Sequence, residues 1–226
     1  MSAYSELKEE CYAANLLLPE YKLIELAFGN VSVSDPRHGV FAIRPGNVDH
    51  KALRPDQMLV VDFDGQVIHG SLRPSADTAT HQRLFQAFPD IRSIVHTHSR
   101  NAVAFAQAGR PIPCFGTTHA DYFCGEIPVT RPISPEEVQN SYDHEIGNVI
   151  VERFKDLDPH KVKAVLVHGH APFVWGSSGT EAVENAFALE VIAEIALKTL
   201  EVNSGASPIQ QSLVDRHYQR KHGETV

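Results

Sequence analysis

Apolar residues at Leu7, Cys11, Ala14 and Leu18 recur at helical spacing, which predicts an opening helix stopped by Pro19. Two short apolar runs, 40–43 and 58–63, read as strands. Asp64-Gly65 then forms a hairpin turn into a third strand at 66–68. Helical periodicity returns over 77–88 through Leu84 and Phe85, and ends before Pro89. Residues 93–98 read as a strand, followed by a helix over 101–108. Ser134-Pro-Glu-Glu opens another helix with proline in its first turn. A further buried strand is expected at 163–168, and 173–175 continues the sheet. Ser178 and Glu181 make a capping-box pattern before a long helix reaching Leu200. Its apolar positions cover so much of the circumference that it belongs at the centre of the molecule. A loop at 205–208 leads to a final basic helix at 209–221. Strands and helices are interspersed without a strict βαβ rhythm, which predicts a mixed sheet with helices on its faces.

Composition narrows the function classes. The 226 residues suit a single domain over 1–226, and no repeat, low-complexity tract or Gly/Ser linker invites a division. A net charge of −8, from 20 basic and 28 acidic side chains, argues against broad binding to nucleic acid or an anionic membrane. No uncharged apolar run approaches the roughly 18 residues of a membrane span. The acidic, polar start has the wrong chemistry for a secretion signal. Cys11, Cys114 and Cys124 form no C-x-x-C pair and read as reduced thiols, so a cytoplasmic location is expected. The 13 histidines change the picture most, because histidine binds metals and moves protons.

His96 and His98 lie two apart on the strand predicted at 93–98, which sends both to one face, about 6.5 Å apart, at the exit of an apolar run. Imidazoles so placed can converge on one cation. A second pair, His168 and His170, follows the apolar residues 164–167. Only one of these need bind, the other orienting a ligand from behind. Either pair alone reads equally as surface histidines; two pairs at separate strand ends favour a metal. Asp77, at the start of the helix over 77–88, offers a carboxylate, and a plain N-cap is its competing role. His81, one turn later, either reaches the metal or sits on the helix surface. No cysteine neighbours the clustered histidines, which disfavours a closed structural site. Histidines with one carboxylate leave coordination positions open, so a catalytic divalent ion, zinc foremost, is expected. A cupin-type oxygenase also uses H-x-H, but the long buried helices disagree with an all-β barrel.

The blocks Gly29-Asn-Val-Ser32, Ser75-Ala-Asp-Thr78, Val95-His-Thr-His-Ser99, Gly116-Thr-Thr-His-Ala-Asp-Tyr-Phe123, His168-Gly-His170 and Arg216-His-Tyr-Gln-Arg-Lys-His-Gly223 make a pattern. Through them the chain resembles the class II aldolase/epimerase family over nearly its whole length. The 116–123 block and the histidine-rich final helix point to the epimerase branch. The resemblance implies an α/β fold with a central, mainly antiparallel sheet flanked by helices. It implies Asp77, His96, His98 and His170 as ligands of Zn2+ or another divalent metal, with Asp121 as one of two acid/base groups. It further implies homotetramers with active sites between neighbouring subunits. The implied reaction is epimerisation at C4 of a ketopentose phosphate, L-ribulose 5-phosphate to D-xylulose 5-phosphate, by retro-aldol cleavage and re-formation of the C3–C4 bond.

Substrate contacts implied by the resemblance are Gly29, Asn30, Arg44, Gly46, Asn47, Ser75, Ala76, Thr117, Thr118, Asp143, His217 and Arg220. Several depart from the family pattern. Where epimerases show Lys-Pro-Ser-Gly this chain has Arg44-Pro-Gly-Asn47, and Ser-Ser-Asp becomes Ser75-Ala-Asp77. Hydroxyls are therefore missing at Gly46 and Ala76, each hydrogen bond to a charged group being worth about 1.5–3 kcal/mol. Arg44 keeps positive charge and offers a bidentate fork to phosphate, and Gly46 offers its backbone N–H. Asp143 stands where epimerases carry a glutamate. Thr117 and Thr118 flank the acid/base region, and His217 and Arg220 lie one turn apart on the last helix. The competing roles are solvated loops and a solvated basic helix face. The family's second acid/base, a tyrosine in a tail beyond Arg-Lys-His-Gly, has no counterpart before Val226, and Tyr218 does not align with it. Rival functions are an aldolase on the same scaffold, action on an unphosphorylated ketose or sugar acid, and a non-catalytic sugar or metal binder.

Overall fold

The computed structural model describes residues 4–26 and 28–223. Helix α1 (Ser5–Glu20) carries Pro19 inside its last turn rather than stopping before it. Proline removes only its own N–H there; its carbonyl still accepts from the Lys22 N–H at 3.2 Å. Strands β1 (Asn30–Asp35), β2 (Val40–Ile43), β3 (Leu59–Asp62) and β4 (Val67–His69) follow, then α2 (Thr78–Ala87), β5 (Ser93–His96), α3 (Arg100–Gln107) and the short α4 (Thr117–Ala120). The chain continues through α5 (Pro135–Arg153), β6 (Ala164–Leu166), β7 (Pro172–Gly176), α6 (Gly179–Val202) and α7 (Gln211–His222).

The seven strands form one sheet in the order β4-β3-β2-β1-β5-β7-β6, and every pairing between them is antiparallel. This corrects the mixed sheet expected from the interspersed elements and agrees with the mainly antiparallel sheet that the resemblance implies. One parallel bridge joins Val129 to Leu166. Side-chain alternation splits the core in two. Val31, Val95 and Val174 pack toward α3 and α6, with Val33, Ala42 and Val60 toward α1. Phe41, Ile94, Phe173 and Trp175 face α2 and α5. Phe41, Phe173 and Trp175 are fully buried, and truncating such a side chain costs about 3–5 kcal/mol.

Strand β1, unmarked by any apolar run, is the central strand. Its polar positions Asn30, Ser32 and Ser34 all point to the α2 side and are all buried. Each has a partner: Ser32 Oγ meets His81 Nδ1 at 2.6 Å, and Ser34 Oγ reaches the Arg92 carbonyl at 3.2 Å. Helix α6 is capped at Ser178, whose hydroxyl accepts from the Glu181 N–H. The reciprocal half of the expected box is missing. The Glu181 carboxylate instead accepts from the Ser177 N–H at 2.7 Å and pairs with Lys163 at 2.6 Å.

Candidate metal centre

His96 ends β5, its ring stacked on Phe173 of the neighbouring strand with centroids 4.3 Å apart. Its Nδ1 lies 3.0 Å from the Pro172 carbonyl. A carbonyl can only accept, so Nδ1 carries the hydrogen and Nε2 keeps a lone pair. That Nε2 faces Nε2 of His170 at 3.3 Å. His98 lies past the end of β5, not on it, so strand alternation does not place it. The turn out of the strand does, with ring centroids 5.0 Å from His96 and 5.2 Å from His170. One ligand nitrogen from each ring falls within 4.8 Å of the others. Two nitrogens on one tetrahedral zinc ion, each about 2.0–2.1 Å from it, stand roughly 3.3 Å apart. Facing ring nitrogens at this spacing fit a divalent cation.

Asp77 borders the same pocket. It occupies the N-cap position of α2 but makes no capping hydrogen bond; its Oδ2 accepts from the Asn30 amide instead. Burial opposes ionisation of Asp77, and attraction to His96 and His81 with the Asn30 hydrogen bond outweighs it. The carboxyl is thus held below the usual range. Burial, reinforced by the neighbouring rings, lowers His98 and brings His170 down to about 4. These imidazoles are neutral at neutral pH, the form that ligates a metal. His81 is neither ligand nor surface residue: it is fully buried behind the site, bonded to Ser32. His168 turns away and packs on Gly109, where a Cβ would stand 2.4 Å from its Nε2.

The pocket has a volume of about 210 Å³ and is also bordered by Gly29, Asn30, Arg44, Gly46, Asn47, Ser75 and Ala76. Gly29 adopts φ +86°, and a Cβ there would meet the His96 carbonyl oxygen at 2.9 Å, so only glycine lets the two strand ends close on the site. Two expectations for this wall are corrected. The Gly46 N–H is already bonded to the Arg73 carbonyl at 3.0 Å. The terminal nitrogens of Arg44 turn to the carbonyls of Gly29 and Val48 and to His50, bracing the loop instead of presenting an open fork. Sequence reasoning missed two residues beside the site. Phe28 is half exposed and stacks on His98 at 5.4 Å, and Tyr142 Oη lies 3.2 Å from His170 Nδ1. Asp143, next to Tyr142, is raised by burial and by the charge of Asp77. Its position beside the site was the only sequence signal near Tyr142.

The remaining predicted residues lie elsewhere. Asp121 caps the C-terminal end of α4, and its Oδ1 accepts from His217 Nδ1 at 2.9 Å and Arg220 Nη2 at 3.1 Å, both on α7. Burial pushes against ionisation of Asp121; His217 and Arg220 outweigh it and lower the carboxyl. Thr117 and Thr118 open α4, with Thr118 exposed. Arg220, Lys221 and His222 of α7 stay solvent-exposed while contacting α4 and the turn after it: His222 Nε2 lies 2.8 Å from the Asp121 carbonyl, and Lys221 sits 3.5 Å above the Tyr122 ring. His222 and Tyr218 border a separate cavity of about 380 Å³ with Ile91, Lys163 and Gly176. Those last three residues mark the opposite end of β5, β6 and β7 from the histidines. Ile91 and His96 are five residues apart on an extended path, roughly 15 Å. Within one chain, Asp121 therefore does not reach the histidine pocket.

Residues 9–197 match the family described as Class II Aldolase and Adducin N-terminal domain. The chain is 44% identical over 218 residues to the L-ribulose-5-phosphate 4-epimerase UlaF of Salmonella paratyphi A, covering 96% of each chain. The protein of that name from Salmonella typhi matches equally. Among solved structures, an L-fuculose 1-phosphate aldolase superposes with TM-score 0.75 at 22% identity, covering 96% of this chain and 97% of that one, which shows the fold. YgbL from Klebsiella pneumoniae, described as a putative aldolase/epimerase/decarboxylase, gives 0.74 at 25% identity, over 96% and 99%.

Proposed function

Since this chain belongs to the class II aldolase and adducin N-terminal domain family, we propose that it is an enzyme that epimerises C4 of a ketopentose phosphate, L-ribulose 5-phosphate to D-xylulose 5-phosphate. The observation that carries this reading is the convergence of His96, His98, His170 and Asp77 on one open pocket, in a chain 44% identical to proteins named for that reaction. A divalent cation held by those four residues, zinc foremost, supplies Lewis-acid stabilisation of the oxyanion that develops during carbon–carbon cleavage.

The protein's own groups do the rest. Attraction to His96 and His81, with the Asn30 hydrogen bond, holds Asp77 ionised, and the Pro172 carbonyl fixes the His96 tautomer. Asp121, kept as carboxylate by His217 and Arg220, exchanges the C4 hydroxyl proton with substrate on one face. The C3–C4 bond breaks to an enediolate and an aldehyde and re-forms on the aldehyde's other face, where the inverted C4 oxygen takes a proton from a second acid or water while Asp121 releases its own to solvent. Because Asp121 lies at the far end of the sheet from the histidines of its own chain, it serves the pocket of a neighbouring copy. A ring of identical subunits, a homotetramer, joins the two halves head to tail. Asn47, Ser75 and Ala76, in the turn that leads into α2, receive the phosphate.

One observation favours a second reading, an unphosphorylated ketose: Gly46 and Arg44 spend their donors on backbone carbonyls. A single screen separates the readings. Purified protein with added zinc or manganese is given L-ribulose 5-phosphate and the free pentulose, with C4 configuration followed by NMR. D-Xylulose 5-phosphate is the expected product. Accumulating free aldehyde would identify an aldolase, turnover of the free sugar alone the second reading, and no turnover a non-catalytic binder.

A further inference from the structure

Tyr142 stands against His170, one of the residues that line the histidine pocket, and takes no part in the roles assigned so far. Helix α5 breaks at Ser141, whose φ of −136° and ψ of 73° leave the helical range, and Tyr142 is the residue after the break. Its side chain is 37% exposed, and its Oη lies 3.2 Å from His170 Nδ1. Among the described residues, this is the only hydrogen bond of that phenol.

The direction of the bond follows from imidazole chemistry. His170 presents Nε2 toward His96 Nε2 at 3.3 Å, and His96 already carries its hydrogen on Nδ1, against the Pro172 carbonyl. A ligating Nε2 carries no hydrogen, so the hydrogen of neutral His170 sits on Nδ1 and is donated to the Tyr142 oxygen. The phenol is the acceptor in that bond. Its own O–H is therefore unspent, and it is held beside the pocket that Asp77, His96 and His98 border.

Resting on the metal-dependent ketose reaction proposed above, we infer that Tyr142 is a further residue of this site. It fixes His170 in the tautomer that binds metal, and it donates its O–H to an oxygen of the bound polyhydroxylated substrate. The phenol suits both tasks, because one oxygen accepts from the imidazole while donating to a sugar oxygen. Phenylalanine can do neither.

The test is Tyr142→Phe, which deletes one atom from a part-exposed side chain. Zinc affinity is read on the purified protein by competition with a chromophoric chelator, without substrate. The dissociation constant is expected to rise roughly 10- to 100-fold, the usual cost of removing an outer partner of a metal-binding histidine. The urea unfolding midpoint of the metal-free protein stays unchanged. At saturating metal, kcat/KM for the ketose phosphate is expected to fall roughly 2- to 10-fold, as for a lost hydrogen bond to a neutral sugar oxygen. A zinc affinity within twofold of the unaltered protein overturns the inference. Inactivity of the unaltered protein overturns the proposed reaction instead, and leaves the affinity comparison to decide the role of Tyr142.

Discussion

Two clusters of ionisable residues occupy opposite ends of the sheet, and each lacks what the other has. At one end, His96, His98 and His170 turn ring nitrogens toward one another within 4.8 Å beside Asp77. Three ring nitrogens turned on one another beside a carboxylate make a donor set suited to a cation. At the other end, Asp121 is answered within the chain, its carboxylate held by His217 and Arg220. Taken alone, it would pass for a structural ion pair between α4 and α7. Incomplete satisfaction therefore marks the proposed metal site, whereas the proposed acid/base group Asp121 is recognisable only by its place in a family motif.

The largest effects should separate the two ends. His98→Ala is expected to empty the metal site and to lower turnover by roughly 10³-fold or more, the several kcal/mol of Lewis-acid stabilisation. Metal content by elemental analysis checks the first part, and a full complement of zinc in that variant would refute the ligand assignment. Asp121→Asn should keep the metal of the unaltered protein and slow turnover by roughly 10²- to 10⁴-fold. Loss of metal in that variant would mean that the two ends act as one site within the chain.

A smaller effect contrasts the reasons for neutrality at the two ends. His119, beside Asp121, is buried with neither ring nitrogen hydrogen-bonded, and burial lowers it to about 4. An unfolded histidine protonates near pH 6.5. The unfolded state thus binds the extra proton first as pH falls; the stability contribution is complete above about 6.5 and is lost toward about 4. His119→Phe should flatten the pH dependence of stability by roughly 1–2 kcal/mol between pH 7 and 5, read from urea midpoints of the metal-free protein. An unchanged slope would show that His119 is protonated in the folded state.

How much of this could be read from the chain depends on where each signal resides. Strands β2, β3, β5 and β7 follow from apolar runs, and α6 from a long apolar helix with a capping serine. Strand β1 was illegible because every second residue is Asn or Ser. A buried polar face looks like a loop until His81, Asp77 and the Arg92 carbonyl are brought to it by folding. The choice between His168 and His170 was open for a similar reason, since both leave β6 in one turn. Contact with Gly109 takes His168 away, and the turn before β7 carries His170 to His96. The donors of Arg44 and Gly46 could be counted in the sequence, but their capture by nearby carbonyls could not. Tyr142 was hidden because a break in α5, not helical periodicity, aims it.

Subunit complementation tests the central claim most directly. His98→Ala chains keep Asp121 but lose the metal half, and Asp121→Asn chains keep the metal half but lose the acid/base. In head-to-tail rings assembled at random from equal amounts of the two, about one site in four joins two intact halves. Mixed assemblies refolded or co-expressed from the two inactive variants should therefore regain about a quarter of the unaltered activity. If the mixture stays as inactive as its parents while assembling normally, the two halves do not meet across subunits, and the account is contradicted.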